Sequence, residues 1–205
     1  MPPELTFGAQ DVRILGDETA YQGYFRIRRV TVQYRAFGGG WVKPQVREIF
    51  ERGDAVGLLP YDPASDSVIL VEQFRPGAMR DGASPGMLEL IAGIVEPGES
   101  DSQVAHREAQ EEAGCTVSEL QPIATVLPSA GACSEQVRLF CGRVEEAGVG
   151  GIHGLAEEGE NMLVHSVPAD EAFALLEADR VPNGHTLISL LWLRQHIDTL
   201  RERWG

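Results

Sequence analysis

The hydrophobic positions of TAYQGYFRIRRVTVQYRAF are mostly β-branched or aromatic and stand among polar ones, which predicts strands. The run closes on Gly38-Gly39-Gly40, and WVKPQVREIF returns as a further strand. Residues 1–50 are therefore expected to form a small antiparallel sheet of their own, and such a sheet rarely stands alone in water. A second β pattern follows: AVGLLPY, the turn segment DPASDS and VILVEQFR predict a hairpin, and MLELIAG, QPIATVL and VRLFCGRV read as strands. GVGGIHGLAEEGEN reads as a Gly- and Glu-rich loop before MLVHSV. The pattern then takes the period of a helix in PADEAFALLEADR and LISLLWLRQHIDTLRERW, with Pro168 at a first-turn position and Asn183-Gly184 between the two. The order predicts an α+β fold, an α/β/α sandwich with a mixed sheet between helices over residues 51–205, beside the N-terminal sheet domain.

One further helix is predicted from about Asp101 to Ala113, a stretch without Gly or Pro. Ser100, Asp101 and Ser102 offer N-caps, and Gly114 offers the C-cap. At about 100° per residue, Val104, Ala105, Ala109 and Ala113 share one side, and Glu108 and Glu112 fall inside that apolar arc. Arg107 points away from both on the same projection and is expected to reach back to Glu99.

Charge sharpens the question this helix raises. The chain has 205 residues, 31 acidic and 17 basic side chains, and a formal net charge of −14. That balance argues against a general affinity for nucleic acid or anionic membranes, and no apolar run approaches a membrane span. Cys115, Cys133 and Cys141 lack the spacing of a zinc site or a redox pair, and no leader pattern opens the sequence. The expectation is a soluble, cytoplasmic, unprocessed protein with reduced cysteines.

Most Glu-rich helices are solvated faces, where an i, i+4 pair of like charges costs only about 0.2–0.5 kcal/mol. Beside a packed face, two carboxylates about 4 Å apart repel by about 4 kcal/mol at an effective dielectric of roughly 20. A shared proton, an arginine or divalent cations can relieve that repulsion. A hard cation is the best fit, because Mg²⁺ takes one or two carboxylates, keeps waters and bridges to substrate phosphates.

Gly93, then Glu99, then Arg107-Glu108-Ala109-Gln110-Glu111-Glu112-Ala113-Gly114-Cys115 resembles a complete Nudix box, G-x5-E-x7-R-E-U-x-E-E-x-G-U, with U usually a bulky aliphatic. Every polar position matches, while Ala109 and Cys115 are small for U. Beyond the box, VREIFERG, VILVEQFR, LELIAGIVEPGES and GIHGLAEEGE are similar to the ADP-ribose pyrophosphatases of that family. The resemblance implies the Nudix fold and Mg²⁺-dependent cleavage of ADP-ribose to AMP and ribose 5-phosphate, with Mn²⁺ as a substitute. It also implies a homodimer built through the N-terminal sheet.

Position by position, the resemblance makes Glu108, Glu112 and the carbonyl of Ala92 metal ligands, with Glu160 as a further ligand. Glu158 becomes the base, Glu111 a secondary acid, and Glu99 with Arg107 the pair that orients loop and helix. Arg47, Arg52 and Arg75 would contact the diphosphate or terminal ribose, Tyr24 would stack on adenine, and Glu135 would bind a ribose hydroxyl. Ser129-Ala130-Gly131 matches a Ser-Pro-Gly segment that lines the substrate, with Ala130 where the ADP-ribose subgroup commonly has proline. That departure leaves diphosphate hydrolysis intact and keeps other nucleoside diphosphate sugars, GDP-mannose among them, as alternatives. A non-catalytic nucleotide sensor is the competing class, and it would be favoured by a missing box carboxylate; none is missing. The five histidines show no metal spacing and are expected to be structural or surface residues.

Overall fold

A computed structural model describes residues 4–80, 82, 84–145, 149–155, 157 and 159–205. It comprises two compact units, one of Met1–Gly53 with Leu127–Glu135 and one of Asp54–Val126 with Gln136–Gly205.

In the first unit, β1 (Val12–Gln22), β2 (Arg26–Tyr34) and β3 (Gln45–Glu51) form an antiparallel sheet in that order. β1 pairs with β2 through two register shifts, between Ile14 and Gly16 and between Thr19 and Tyr21. The returning strand starts only at Gln45, because Pro44 has no N–H for the ladder. Trp41 makes an isolated bridge to Arg35, and the guanidiniums of Arg13 and Arg35 lie over its ring. Every residue of β1 is exposed, Ile14 and Tyr21 included. Residues 127–135 are tied to β3, where Phe50 donates its amide to Ala132 O and accepts from the Ser134 amide.

The second unit is built on a mixed sheet in the order β10-β11-β5-β4-β9-β8. Its elements are β4 (Ala55–Asp62), β5 (Ser67–Phe74), β6 (Gly86–Glu89), β7 (Ile91–Ile94), α1 (Asp101–Ala113), β8 (Glu119–Val126), β9 (Val137–Arg143), β10 (Gly151–His153), β11 (Met162–Pro168), α2 (Ala169–Glu177) and α3 (Gly184–Trp204). β4 and β9 run parallel and the other pairs antiparallel. The expected hairpin is present, but its strands pair only at the turn end, Tyr61 with Val68 and Asp62 with Ser67. They then diverge, and β6 pairs with β5 while β7 pairs with β4. MLELIAG is consequently two strands rather than one. They are parted at Leu90, whose amide donates to Thr186 Oγ1 on α3. The Gly- and Glu-rich loop likewise contains a short strand, β10, paired with β11. Pro168 is the last residue of β11 and the N-cap of α2, one position earlier than a first-turn proline.

Side-chain alternation on the central strands sorts the core onto two faces. Val56, Leu58, Ile69, Val71 and Ile91 pack with Val104, Ala105, Ala109 and Ala113 of α1. Leu59, Tyr61, Val68 and Leu70 pack with α2 and α3 through Ala169, Ala172, Leu190, Leu193, Ile197, Leu200 and Trp204. The sheet thus lies between α1 and the α2/α3 pair, the α/β/α sandwich expected from the sequence. No helix among the described residues is long and apolar enough to cross a membrane.

Candidate active site

α1 owes its position to both of its ends. Ser100 caps the N-terminus, its Oγ accepting from the Gln103 amide while Gln103 Oε1 accepts from the Ser100 amide at 2.9 Å. At the other end Gly114 takes φ +63°, and the amides of Gly114 and Cys115 close onto Gln110 O and Ala109 O, a Schellman closure open to a residue without Cβ strain. Between the caps, the alanines on the buried face let the helix backbone approach the sheet closely, which gives the small residue at position 109 a packing role.

That approach brings the inward acids onto β7. Glu112 is 2% exposed, and its Oε2 accepts from the Ala92 amide at 3.2 Å. Burial pushes its carboxyl up to about 8, and repulsion from Glu108 and Glu160 adds to the shift, while the Ala92 amide and the charge of Arg75 oppose it. Burial also raises Glu108, against the pull of Arg107. Gly93 is required by the same packing: a Cβ there would stand 2.5 Å from Glu108 Cγ and nearer still to the carboxyl carbon and Oε1. The first glycine of the box is the space into which Glu108 folds.

Arg107 departs from the helical projection. It does reach Glu99, through Nε at 3.0 Å and Nη2 at 3.1 Å, and that contact, with the Glu96 amide, holds Glu99 below the usual carboxylate range. Its Nη1 also donates to Glu108 Oε1 at 2.6 Å and Glu111 Oε2 at 3.0 Å, although the projection turns Arg107 away from Glu108. A long side chain spans farther than its Cα direction suggests. Glu99, Arg107, Glu108 and Glu111 are one connected cluster, anchored to the sheet where Nη2 donates to Ile94 O.

Glu160 leaves the loop after β10 and accepts from the Leu155 amide at 3.1 Å. Its charge acts on both Glu108 and Glu112. Glu157 is exposed, and Glu158, the expected base, lies outside the described residues. The resemblance puts the carbonyl of Ala92 at the site, and the amide of the same residue is the group that bonds Glu112.

Arg75 follows β5, and its Nε donates to Glu89 Oε2 at 2.8 Å. Glu89 itself is 3% exposed and also accepts from Gln73 Nε2 and Asn183 Nδ2. Reading MLELIAG as one apolar strand overlooked it. The available signal was a lone acid inside a hydrophobic run.

In the first unit, Arg52 Nε stands 3.4 Å from Glu135 Oε1, an ion pair without hydrogen-bond geometry that leaves the buried Nε without a hydrogen bond. The Arg52 guanidinium lies 5.5 Å over the Phe25 ring. Phe25 also meets Tyr24 and Phe50 edge-on, and Tyr24 is exposed. Ser129 turns the 127–135 segment by accepting the Ala132 and Cys133 amides on its carbonyl, and Gly131 has open space around it. Arg47 is exposed and bonds within its own strand, to Val46 O and the Gln45 side chain.

Among the described residues no three His, Cys, Asp or Glu side chains converge into a ready-made metal cage. The residues present nevertheless fit a hard divalent cation. Glu112 and Glu108 supply two packed carboxylates, and burial and the repulsion between them make Glu112 favour its proton. Mg²⁺ asks for one or two carboxylates and completes its shell with water and phosphate oxygens. The Cys115 thiol, buried and raised to about 11, and Cys141 are core residues.

Residues 51–188 match the model of the NUDIX domain. Over 201 residues the chain is 41% identical to the ADP-ribose pyrophosphatase of Escherichia coli (strain K12), covering 98% of this chain and 96% of that protein. It is 42% identical over 201 residues to the ADP-ribose pyrophosphatase of Haemophilus influenzae, covering 97% and 93%. The GDP-mannose pyrophosphatase of Salmonella typhimurium is 27% identical over 190 residues, covering 91% and 96%. A crystal structure of an ADP compounds hydrolase superimposes with a TM-score of 0.73 at 20% identity, covering 95% of this chain and 98% of the other.

Proposed function

The chain belongs to the Nudix family, and from that premise we propose that it is a Mg²⁺-dependent pyrophosphatase that cleaves ADP-ribose to AMP and ribose 5-phosphate. The observation that carries this reading is the pair of acids on α1 folded against β7. Glu112 is buried at the Ala92 amide and Glu108 fills the space left by Gly93. Such a pair is costly unless a cation joins it.

Glu108 and Glu112, with the Ala92 carbonyl and Glu160, would hold Mg²⁺ or Mn²⁺, which supplies charge neutralisation of the diphosphate and a bound water of lowered pKa. Arg107 keeps Glu108 and Glu111 oriented through its bonds to both and locks the preceding loop through Glu99. Glu158 is the proposed base. Arg75 offers its guanidinium to the diphosphate, as do Arg47 and Arg52, with Glu135 for a ribose hydroxyl. Tyr24, exposed beside Phe25, offers an adenine-stacking face. Ser129 and Gly131 would line the same substrate.

ADP-ribose is preferred as substrate because the relatives named for it are 41–42% identical, against 27% for one named for GDP-mannose. Ala130, in place of the subgroup's proline, favours a second reading in which another nucleoside diphosphate sugar is accepted. The exposed Ile14, Leu15, Tyr21 and Val46 support a homodimer through the N-terminal sheet, and we place the enzyme in the cytoplasm. Product analysis on a panel of nucleoside diphosphate sugars, with and without Mg²⁺, tests the proposal. Mg²⁺-dependent release of AMP and ribose 5-phosphate from ADP-ribose is expected. Equal hydrolysis of ADP-ribose and a guanosine sugar would remove the specificity.

A further inference from the structure

Glu89 is a buried carboxylate that neither the box nor the core explains. One oxygen, Oε2, accepts from Arg75 Nε at 2.8 Å and Gln73 Nε2 at 3.1 Å; the other, Oε1, accepts from Asn183 Nδ2 at 2.8 Å. Asn183 is fixed in turn. It is the N-cap of α3, and its Oδ1 accepts from the Thr186 amide at 2.9 Å and from Thr186 Oγ1 at 3.0 Å. Thr186 Oγ1, fully buried, accepts from the Leu90 amide at 2.9 Å, which returns the chain of bonds to the residue after Glu89. β5 and the N-cap of α3 therefore hold one acid, and that acid holds one arginine.

The way it holds Arg75 is specific. The bond is made at Nε, the inner nitrogen of the guanidinium, and among the described residues the two terminal NH₂ groups take no hydrogen bond. An arginine clamped by Nε keeps its planar fork free for a second, bidentate partner, and less rotamer freedom remains to be lost on binding. Arg75 stands near enough to the acid site for its charge to act on Glu112. Glu89 is also only three residues before Ala92 and four before Gly93, so the clamp and the floor under Glu108 and Glu112 belong to one short segment, β6 to β7. In a chain of net charge −14, a pre-aimed cation beside the carboxylates is what an anionic substrate requires.

We propose that Glu89, braced by Asn183 and Gln73, is a positioning residue that aims the free edge of Arg75 at the substrate's diphosphate. This rests on the reading of Arg75 as a diphosphate contact and adds the reason its guanidinium is ready before substrate arrives. Glu89 acts through Arg75 and touches no reacting atom.

A double-mutant cycle on binding tests it. The probe is ADP-ribose with a methylene group in place of the bridging diphosphate oxygen, titrated calorimetrically in Mg²⁺ into wild type, Arg75→Ala, Glu89→Gln and the double variant, with unfolding temperatures recorded for each. Arg75→Ala is expected to weaken the probe about tenfold and Glu89→Gln about fivefold, as for loss or misalignment of a charge-assisted bond. In the Arg75→Ala background, Glu89→Gln should change affinity by less than about twofold. A loss of equal size in both backgrounds would show that Glu89 is only structural glue and would overturn the proposal, as would wild-type affinity in either single variant. If Glu89→Gln fails to fold, Asn183→Ser takes its place, since serine still caps α3 but cannot reach Glu89 as the amide does. A wild type that binds the probe yet cleaves no nucleoside diphosphate sugar would sink the proposed activity and leave this inference to the cycle. A wild type that does not bind the probe sinks both.

Discussion

Replacing Gly93 with alanine should disable the site by displacing one carboxylate. No positive φ applies at Gly93, so alanine meets no backbone strain there, and the whole effect arises from space. The added Cβ would stand 2.5 Å from Glu108 Cγ, whereas ordinary contact begins at 3.4 Å. Cγ must therefore retreat by about 0.9 Å and the carboxylate beyond it by more. That retreat pulls Oε1 from Arg107 Nη1, now at 2.6 Å, and takes an oxygen of the proposed metal site off its position. A misplacement of about 1 Å in a catalytic arrangement costs on the order of 10²-fold in rate, and overpacking costs about 1–3 kcal/mol of stability. Steady-state kinetics on ADP-ribose across a Mg²⁺ titration, with thermal unfolding in parallel, would read both effects. We expect kcat to fall about 100-fold and half-saturation by Mg²⁺ to rise, with the protein still folded. A Gly93→Ala protein with wild-type kcat and Mg²⁺ dependence would refute the claim that Glu108 works from the space above that glycine.

Other perturbations separate folding from function. In chelator, Glu112 keeps its proton up to about pH 8 when folded but only to about 4.3 when unfolded. The folded state then binds the extra proton between those values, so stability should fall as pH rises through that window and lie flat below it. Mg²⁺ should restore stability most at the alkaline end, and Glu112→Gln should flatten the profile; an unchanged slope in Glu112→Gln would contradict this. Ser100→Ala removes the cap of α1 and should cost about 1 kcal/mol, a fall of about 2–4 °C in Tm by calorimetry. Leu190→Ala, at a fully buried position on the sheet-facing side of α3, should cost about 2–5 kcal/mol in chemical denaturation while the folded fraction keeps its kcat.

How far the sequence could be read depended on the range of the forces involved. α1 was legible in extent, with the N-cap left among Ser100, Asp101 and Ser102, since its caps, length and apolar arc are all local in the chain. The inward lean of Glu108 and Glu112 followed from period alone. The break at Leu90 was not legible, because it results from β4 and β5 diverging and from a bond to Thr186 ninety-six positions away. The reach of Arg107 to Glu108 escaped a projection that records Cα directions and ignores side-chain length. Glu89 was hidden for a related reason: its partners come from β5, from the residue after that strand and from the N-cap of α3, and the only local mark was a lone acid in an apolar run. Short strands such as β10 form where a neighbouring strand offers a ladder, which composition cannot announce.

The proposed function requires that the two inward acids of α1 tolerate burial because divalent ions join them to a substrate. Mn²⁺ titration followed by electron paramagnetic resonance, with ADP-ribose present and hydrolysis followed in the same samples, addresses it directly. Wild type should take up Mn²⁺ and release AMP, and Glu112→Gln, still folded, should do neither at the same Mn²⁺ concentration. Uptake and cleavage unchanged in Glu112→Gln, or AMP release that persists in excess chelator, would contradict it.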